Sequence, residues 1–140
     1  MSTDPTSVVK DWTDAINRHD TDAAVTYLSN DSVFSNTGSG QRFVGVAENR
    51  VHYDELFTVW PEVRFEIVKL FSAGEYYVKE WIMTGVHRGD LPGLPANDHS
   101  FRILGAGVGV VRNGKIAEAT EYWNFATLLA QIGPVHATVG

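Results

Sequence analysis

From Pro5 onward, apolar residues recur at Val8, Val9, Trp12, Ala15 and Ile16, the i, i+3, i+4 spacing of a helix with one buried stripe. Asp4 offers an N-cap and Pro5 suits the first turn, so the spacing predicts a helix that ends near Asn17. Asp20 or Thr21 caps a second short helix in which Ala24, Tyr27 and Leu28 share a face, and Asp31 to Asn36 turns to a strand-like pattern. Thr37-Gly38-Ser39-Gly40 reads as a turn. Tyr53, Leu56, Phe57 and Trp60 then follow at i, i+3, i+4, i+7, which predicts a third helix from Val46 that Pro61 terminates.

Beyond Pro61 the period falls to two. Val63, Phe65, Ile67 and Phe71 are interleaved with Arg64 and Glu66, and Tyr76 to His87 is a second long strand candidate. Gly89 to Asn97, with two prolines and two glycines, reads as a loop. Phe101 to Val111 is a third strand. Asn113-Gly114 is a hairpin signal, because a type I′ turn needs positive φ at both central residues, so Lys115 to Trp123 must return antiparallel. A short apolar helix (Ala126, Leu128, Leu129, Ile132) closes the pattern before Gly133-Pro134. Helices first and long strands afterwards is an α+β plan, with the helices gathered on one face of a curved antiparallel sheet and residues 1–140 read as one domain.

Composition narrows the function. A net charge of −6 without a Lys/Arg cluster argues against a phosphate-backbone partner, so no nucleic acid is expected. The longest apolar run, Ile103 to Val111, is about half a membrane span, and the first residues lack a basic, apolar leader pattern; no membrane partner and a cytoplasmic location are the expectations. With no cysteine, thiolate nucleophiles, Fe–S clusters and Cys-based zinc sites are excluded. The 4 Trp, 5 Tyr and 7 Phe in 140 residues must either build a core from large rings or line a cavity.

Gly105, Gly107 and Gly109 alternate, leaving one face of the third strand without side chains; the bare strip either permits a sharp bend or opens a slot for a ligand. On the last strand Ala117, Ala119, Glu121 and Trp123 share a face. If that face is the inner one, Glu121 is a partly desolvated carboxyl suited to general acid or base work; otherwise it is an exposed cross-strand charge. Glu80 either pairs with a cation such as Arg102 or Lys79 or points into a cavity. His19, His52, His87, His99 and His136 show no helical i, i+4 pair, and His87, His99 and Glu121 would form a metal triad only by long-range folding, so no metal is expected. No serine elbow or phosphate loop occurs.

Four segments, in this order and spacing, carry a resemblance. Gly85-Val86-His87-Arg88-Gly89, Gly93-Leu94-Pro95-Ala96, Gly114-Lys115-Ile116-Ala117-Glu118 and Leu128-Leu129-Ala130-Gln131-Ile132-Gly133 resemble the signature series of SnoaL-like polyketide cyclases and ester cyclases, over roughly residues 8 to 133. Asn17 and Asp20, closing the first helix, and Trp60-Pro61, closing the third, fit the same series. The resemblance implies the nuclear-transport-factor-2-like α+β cone, in which N-terminal helices and a curved sheet enclose an apolar pocket. It also implies chemistry without a cofactor. In the cyclases that close rings by intramolecular aldol reaction, an aspartate on the last strand is the acid/base residue, and counting from Gly114-Lys115-Ile116 places Glu121 there. Their histidine on the preceding strand corresponds to Gly107, and a further acidic position corresponds to Asn124, whose amide can orient a water or a substrate oxygen. Limonene-epoxide-hydrolase-like enzymes share the cone and use an Asp-Arg-Asp set, to which Glu121 and Arg102 are the candidate contributors.

The expectation is an enzyme acting on an apolar polyketide- or terpenoid-like molecule by cyclisation, isomerisation or epoxide opening. Glu121 shuttles the proton, Asn124 and His87 or His99 donate hydrogen bonds to developing charge, and Phe34, Tyr53, Phe57, Trp60, Trp81 and Trp123 line the pocket beside Gly107. The competing reading is a non-catalytic small-molecule-binding protein of the same fold. Leu104, Ala106, Val108 and Val110, opposite Phe101 and Ile103 on the third strand, lead us to expect a homodimer through the outer sheet surface.

Overall fold

The computed structural model describes residues 4–133. Helix α1 (Pro5–Asn17) opens with Asp4 as its N-cap, whose carboxylate accepts from the Thr6 amide, and it buries the predicted stripe of Val8, Val9, Trp12, Ala15 and Ile16. Helix α2 (Thr21–Val25) is capped by Asp20, which accepts from the Ala23 amide at 2.9 Å. It is shorter than its periodicity suggests, because Leu28 already belongs to strand β1 (Leu28–Asn36). Strand β2 (Gln41–Val44) folds back on β1 and has no counterpart in the sequence reading: four residues, two of them long polar side chains, carry too little alternation to register.

Helix α3 (Gly45–Val59) ends at Trp60 before Pro61 as predicted. Strands β3 (Arg64–Ala73), β4 (Tyr76–Val86), β5 (Ser100–Arg112) and β6 (Lys115–Trp123) then form a meander, and α4 (Phe125–Ile132) follows. Asn113 and Gly114 both have positive φ, 54° and 73°, the turn that their sequence demands. The six strands run β2-β1-β6-β5-β4-β3 in a curved open sheet, antiparallel except that β1 lies parallel to β6. Helix α1 packs on β3, α3 on β1 and α4 on β5.

Asn17 fastens the end of α1 to the sheet edge. Its side-chain amide donates to the Phe65 carbonyl and its oxygen accepts from the Phe65 amide, both at 2.8 Å, so one asparagine stands in for a missing neighbour strand. At the other end Gln131 does the same for α4 and β5, accepting from the Arg102 amide at 2.6 Å and donating to its carbonyl at 3.1 Å. Two apolar clusters result. One lies between α1, α2 and the sheet around Trp12, Tyr53 and Tyr77; the other joins Trp60, Trp81, Phe101 and Leu128. No helix among the described residues is long and apolar enough to cross a membrane.

The glycine strip of β5 is filled, not open. Across three strands the register forms rows Trp81–Gly105–Trp123, Lys79–Gly107–Glu121 and Tyr77–Gly109–Ala119. A Cβ at Gly105 would stand 2.3 Å from the Trp81 ring, and one at Gly109 2.5 Å from the Tyr77 ring and 2.3 Å from the Glu118 carbonyl oxygen. The Trp81 and Tyr77 rings lie over Gly105 and Gly109 and the Glu121 carboxylate over Gly107, so Gly107 itself is covered and does not line the cavity. Glu80 does pair with a cation and does not enter a cavity, but the partner is Lys69 at 3.6 Å on the solvent side, not Arg102 or Lys79. Its neighbour Lys79 is the residue that turns inward.

Gly109→Ala is expected to lose about 1–3 kcal/mol of stability, the usual cost of overpacking a site that cannot give way. Urea denaturation measures it, and an unchanged midpoint would contradict the packing of Tyr77 on this strip.

Candidate active site

A cavity of about 370 Å³ lies between the concave face of the sheet and the helices, within the size range of small-molecule sites. Large rings stand on several of its walls, among them Trp12 from α1, Phe34 from β1, Tyr53 and Trp60 from α3 and its cap, Trp81 from β4 and Trp123 from β6. Five of these are sequence-predicted lining residues, and Trp12 is an addition. Leu91 and Leu94 of the loop after β4, and Phe125 and Leu128 of α4, close one side.

Glu121 is 6% exposed and faces this cavity. The alternation along β6 puts it inward, and the bare Gly107 leaves room for it: a Cβ there would stand 2.6 Å from Glu121 Oε1. Trp81 Nε1 donates to the same Oε1 at 2.7 Å. The second carboxylate oxygen, Oε2, is buried and has no hydrogen-bond partner. A buried carboxyl anchored by one oxygen at the wall of a largely apolar chamber has the chemistry of an acid/base group.

The surrounding polar groups are fixed by equally specific contacts. Trp12 Nε1 donates to the Tyr53 hydroxyl at 2.9 Å, and the Trp123 indole donates to Asn36 Oδ1 at 2.6 Å. Burial pushes the Tyr53 and Tyr77 phenols up, and the nearby charge of Glu121 adds to the effect, so both stay protonated. Lys79, 8% exposed, lies across Gly107 from Glu121 with its Nζ 4.7 Å from the centroid of the Trp12 ring. The pattern that made Trp81 an inner residue would have found Lys79 two positions earlier. His52 is the other addition. It stacks on Phe43 at 4.2 Å between centroids and lies 5.6 Å from Phe34, and burial pushes its pKa down to about 4.

Several expected site residues serve the scaffold. His87 is fully buried; its Nδ1 accepts from Trp60 Nε1 at 3.0 Å, so Nε2 carries the proton and donates to the Leu94 carbonyl at 2.9 Å. With both nitrogens engaged it pins the wall loop and does not reach the cavity. Asn124 is the N-cap of α4, accepting from the Ala126 amide at 2.9 Å. His99 is exposed and lines nothing in the cavity. Phe57 stacks on His19 at 4.4 Å and lies behind the wall. Arg102 is exposed on the outer face, so the Glu121–Arg102 arrangement of an epoxide hydrolase is not assembled. Among the described residues no group of three or more His, Cys, Asp or Glu side chains is placed to hold a metal.

The buried imidazole makes stability depend on pH. In the unfolded chain His52 takes up a proton near pH 6.5, and in the folded chain only near 4, so the unfolded state binds more protons between these values and stability falls as the pH drops through them. His52→Phe is expected to flatten the profile by up to about 3 kcal/mol between pH 7 and 4, read by urea denaturation at each pH. A variant with the parent's profile would contradict this assignment.

Known proteins share the architecture. A candidate polyketide cyclase from Xanthomonas campestris pv. campestris superposes with a TM-score of 0.80 at 25% identity, over 94% of this chain and 99% of its own. AclR, a candidate hydroxylase from Streptomyces galilaeus, gives 0.79 at 16% identity over 95% and 87%. A protein of ketosteroid isomerase-like fold from Catenulispora acidiphila, in complex with trimethylamine, gives 0.79 at 21% over 90% and 92%. The fold is thus the nuclear-transport-factor-2-like cone expected from the sequence. No curated protein matches the chain. The family model for the SnoaL-like polyketide cyclases matches residues 6–132, almost the whole chain, which supports a small-molecule role of cyclase type, and the chain belongs to that family.

Proposed function

We propose that the protein catalyses proton transfer on an apolar, carbonyl-bearing small molecule of polyketide or terpenoid type, without a cofactor, in the service of ring closure or isomerisation. The observation that carries this reading is the Glu121 carboxyl on the wall of the aromatic cavity, held through Oε1 by Trp81 and with its buried Oε2 left without a hydrogen-bond partner. Glu121 Oε2 takes a proton from the carbon next to a carbonyl; the C–H electron pair becomes a C=C bond and the carbonyl oxygen takes the charge. In a chain with a second carbonyl, that enolate carbon attacks it, one C–C bond forms, and the proton returns to the new alkoxide. No electron leaves the substrate, so no redox partner is required. The aromatic walls exclude water from the enolate and hold the chain folded on itself.

Hydrogen–deuterium exchange at the α-carbons of 2-tetralone in D2O, followed by NMR, tests the proton transfer directly. Glu121→Gln is expected to fold and to bind the ketone as the parent does, yet to exchange at least about a hundredfold more slowly, the scale that a general base supplies. Parental exchange by the variant would sink the mechanism. Binding of the ketone without accelerated exchange by the parent would favour the non-catalytic binding reading.

A homodimer through the outer sheet face completes the proposal. Leu104, Val108 and Tyr122 are exposed there by 63%, 41% and 52%, and Tyr122 stands opposite Ala106 in the ladder, so the patch is continuous. Sedimentation at micromolar concentration is expected to give a dimer, and a monomer would overturn this part of the reading.

A further inference from the structure

The geometry points to Lys79 as the group that receives a negatively charged oxygen of the ligand, which makes the ligand class one of ketones, enols and phenols able to place an anionic oxygen beside an ammonium. Lys79 is the one lysine or arginine that is buried among the described residues. Arg50, Lys69, Arg88 and Arg112, whose side chains are 44–68% exposed, each have a carboxylate within 4 Å, whereas among the described residues Lys79 has none. Its Nζ instead sits over the Trp12 ring, and Trp12 is held in place through its bond to Tyr53. Removing a cation from water is costly unless an opposite charge compensates, and one cation–π contact replaces only part of that hydration. A ligand oxygen that carries charge supplies the missing partner.

The row geometry ties this cation to the acid/base group. Lys79, Gly107 and Glu121 stand side by side on β4, β5 and β6, so with strands about 4.8 Å apart the outer two residues have their Cα atoms roughly 10 Å from each other. Both side chains line the cavity, and the Glu121 carboxylate reaches over the bare Gly107 toward the strand that carries Lys79. Glu121 Oε1 is already taken by Trp81. On this assignment a ligand carbonyl lies in the cavity with its oxygen at Lys79 and its α-carbon at the Glu121 carboxylate. When the α-proton moves to Oε2 and the C–H pair becomes part of the enolate, the charge develops on the oxygen that Lys79 faces. The catalytic half of this inference rests on Glu121 acting as the base; the anion-binding half does not.

The two halves separate experimentally. 4-Nitrophenol, titrated at a pH close to its own ionisation, reports by its visible absorbance whether it binds as phenol or phenolate. The parent protein is expected to prefer the phenolate, and Lys79→Met to bind it at least about tenfold more weakly while keeping its affinity for the neutral phenol, the scale of a charge-assisted hydrogen bond. Lys79→Arg keeps the charge and is expected to keep the preference, which also answers the objection that Lys79→Met has merely disturbed the fold. Glu121→Gln is expected to prefer the phenolate at least as strongly as the parent. A parent without preference for the phenolate, or a Lys79→Met variant that retains it, overturns the assignment. In the 2-tetralone exchange assay Lys79→Met is expected to slow exchange by about tenfold or more. Unimpaired exchange in Glu121→Gln, beside a lost phenolate preference in Lys79→Met, would remove Glu121 as the base and leave the anion site standing.

Discussion

The site depends on one steric constraint, that the inner face of β5 carries no side chain at three successive inward positions. Gly105, Gly107 and Gly109 let Trp81, Glu121 and Tyr77 lie across the middle of the sheet instead of standing upright into the cavity. Flattened in this way, the Trp81 indole comes within 2.7 Å of Glu121, which binds two strands together through a side-chain bond over the strand between them. The same flattening leaves the volume beneath the helices empty. A buried carboxylate is costly, by several kcal/mol for an unpaired ion, and a single indole N–H offsets only part of that. The remainder stays at Oε2 as unsatisfied hydrogen-bonding capacity.

The other walls gain their rigidity from contacts that reach far along the chain. His87 closes a relay from the Trp60 indole to the Leu94 carbonyl, and Asn97 donates to the Ile132 carbonyl at 2.7 Å, so the loop after β4 is fastened to α3 and α4 at once. These are scaffold bonds with a functional consequence, because Leu91 and Leu94 of that loop are cavity wall. Gln131 belongs to the same system: the glutamine of the terminal motif acts by mimicking a strand beside Arg102, far from any chemistry.

Much of this was legible in the sequence wherever a local period or a local turn decided it. The stripe of α1, the alternation of β6 that turns Glu121 inward and the Asn113-Gly114 turn depend on residues within a few positions of each other. What was not legible depends on register. The glycine alternation says that Cβ atoms are missing, but whether the space is left open or covered is settled by Trp81 and Tyr77, more than twenty residues upstream and paired to these glycines by the β4–β5 ladder. His87 and His99 looked alike as imidazoles, and only the fold places one at the centre of a hydrogen-bond relay and the other in solvent. Asn124 could have been read correctly, since an asparagine just before an apolar helical turn is a preferred N-cap.

The register also explains why the chain departs from the pattern its family resemblance implied. That pattern places an aspartate on the last strand and a histidine on the strand before it; here the positions hold Glu121 and Gly107. The two differences are one change. Glutamate is a methylene longer than aspartate, and its carboxylate extends to where a side chain at 107 would begin, with a Cβ there only 2.6 Å from Oε1. Histidine at 107 and this placement of Glu121 exclude each other on steric grounds. With the β5 position bare, the next side chain along the row is that of Lys79 on β4, so an amine stands across the strand from the acid where the resemblance implies an imidazole beside it.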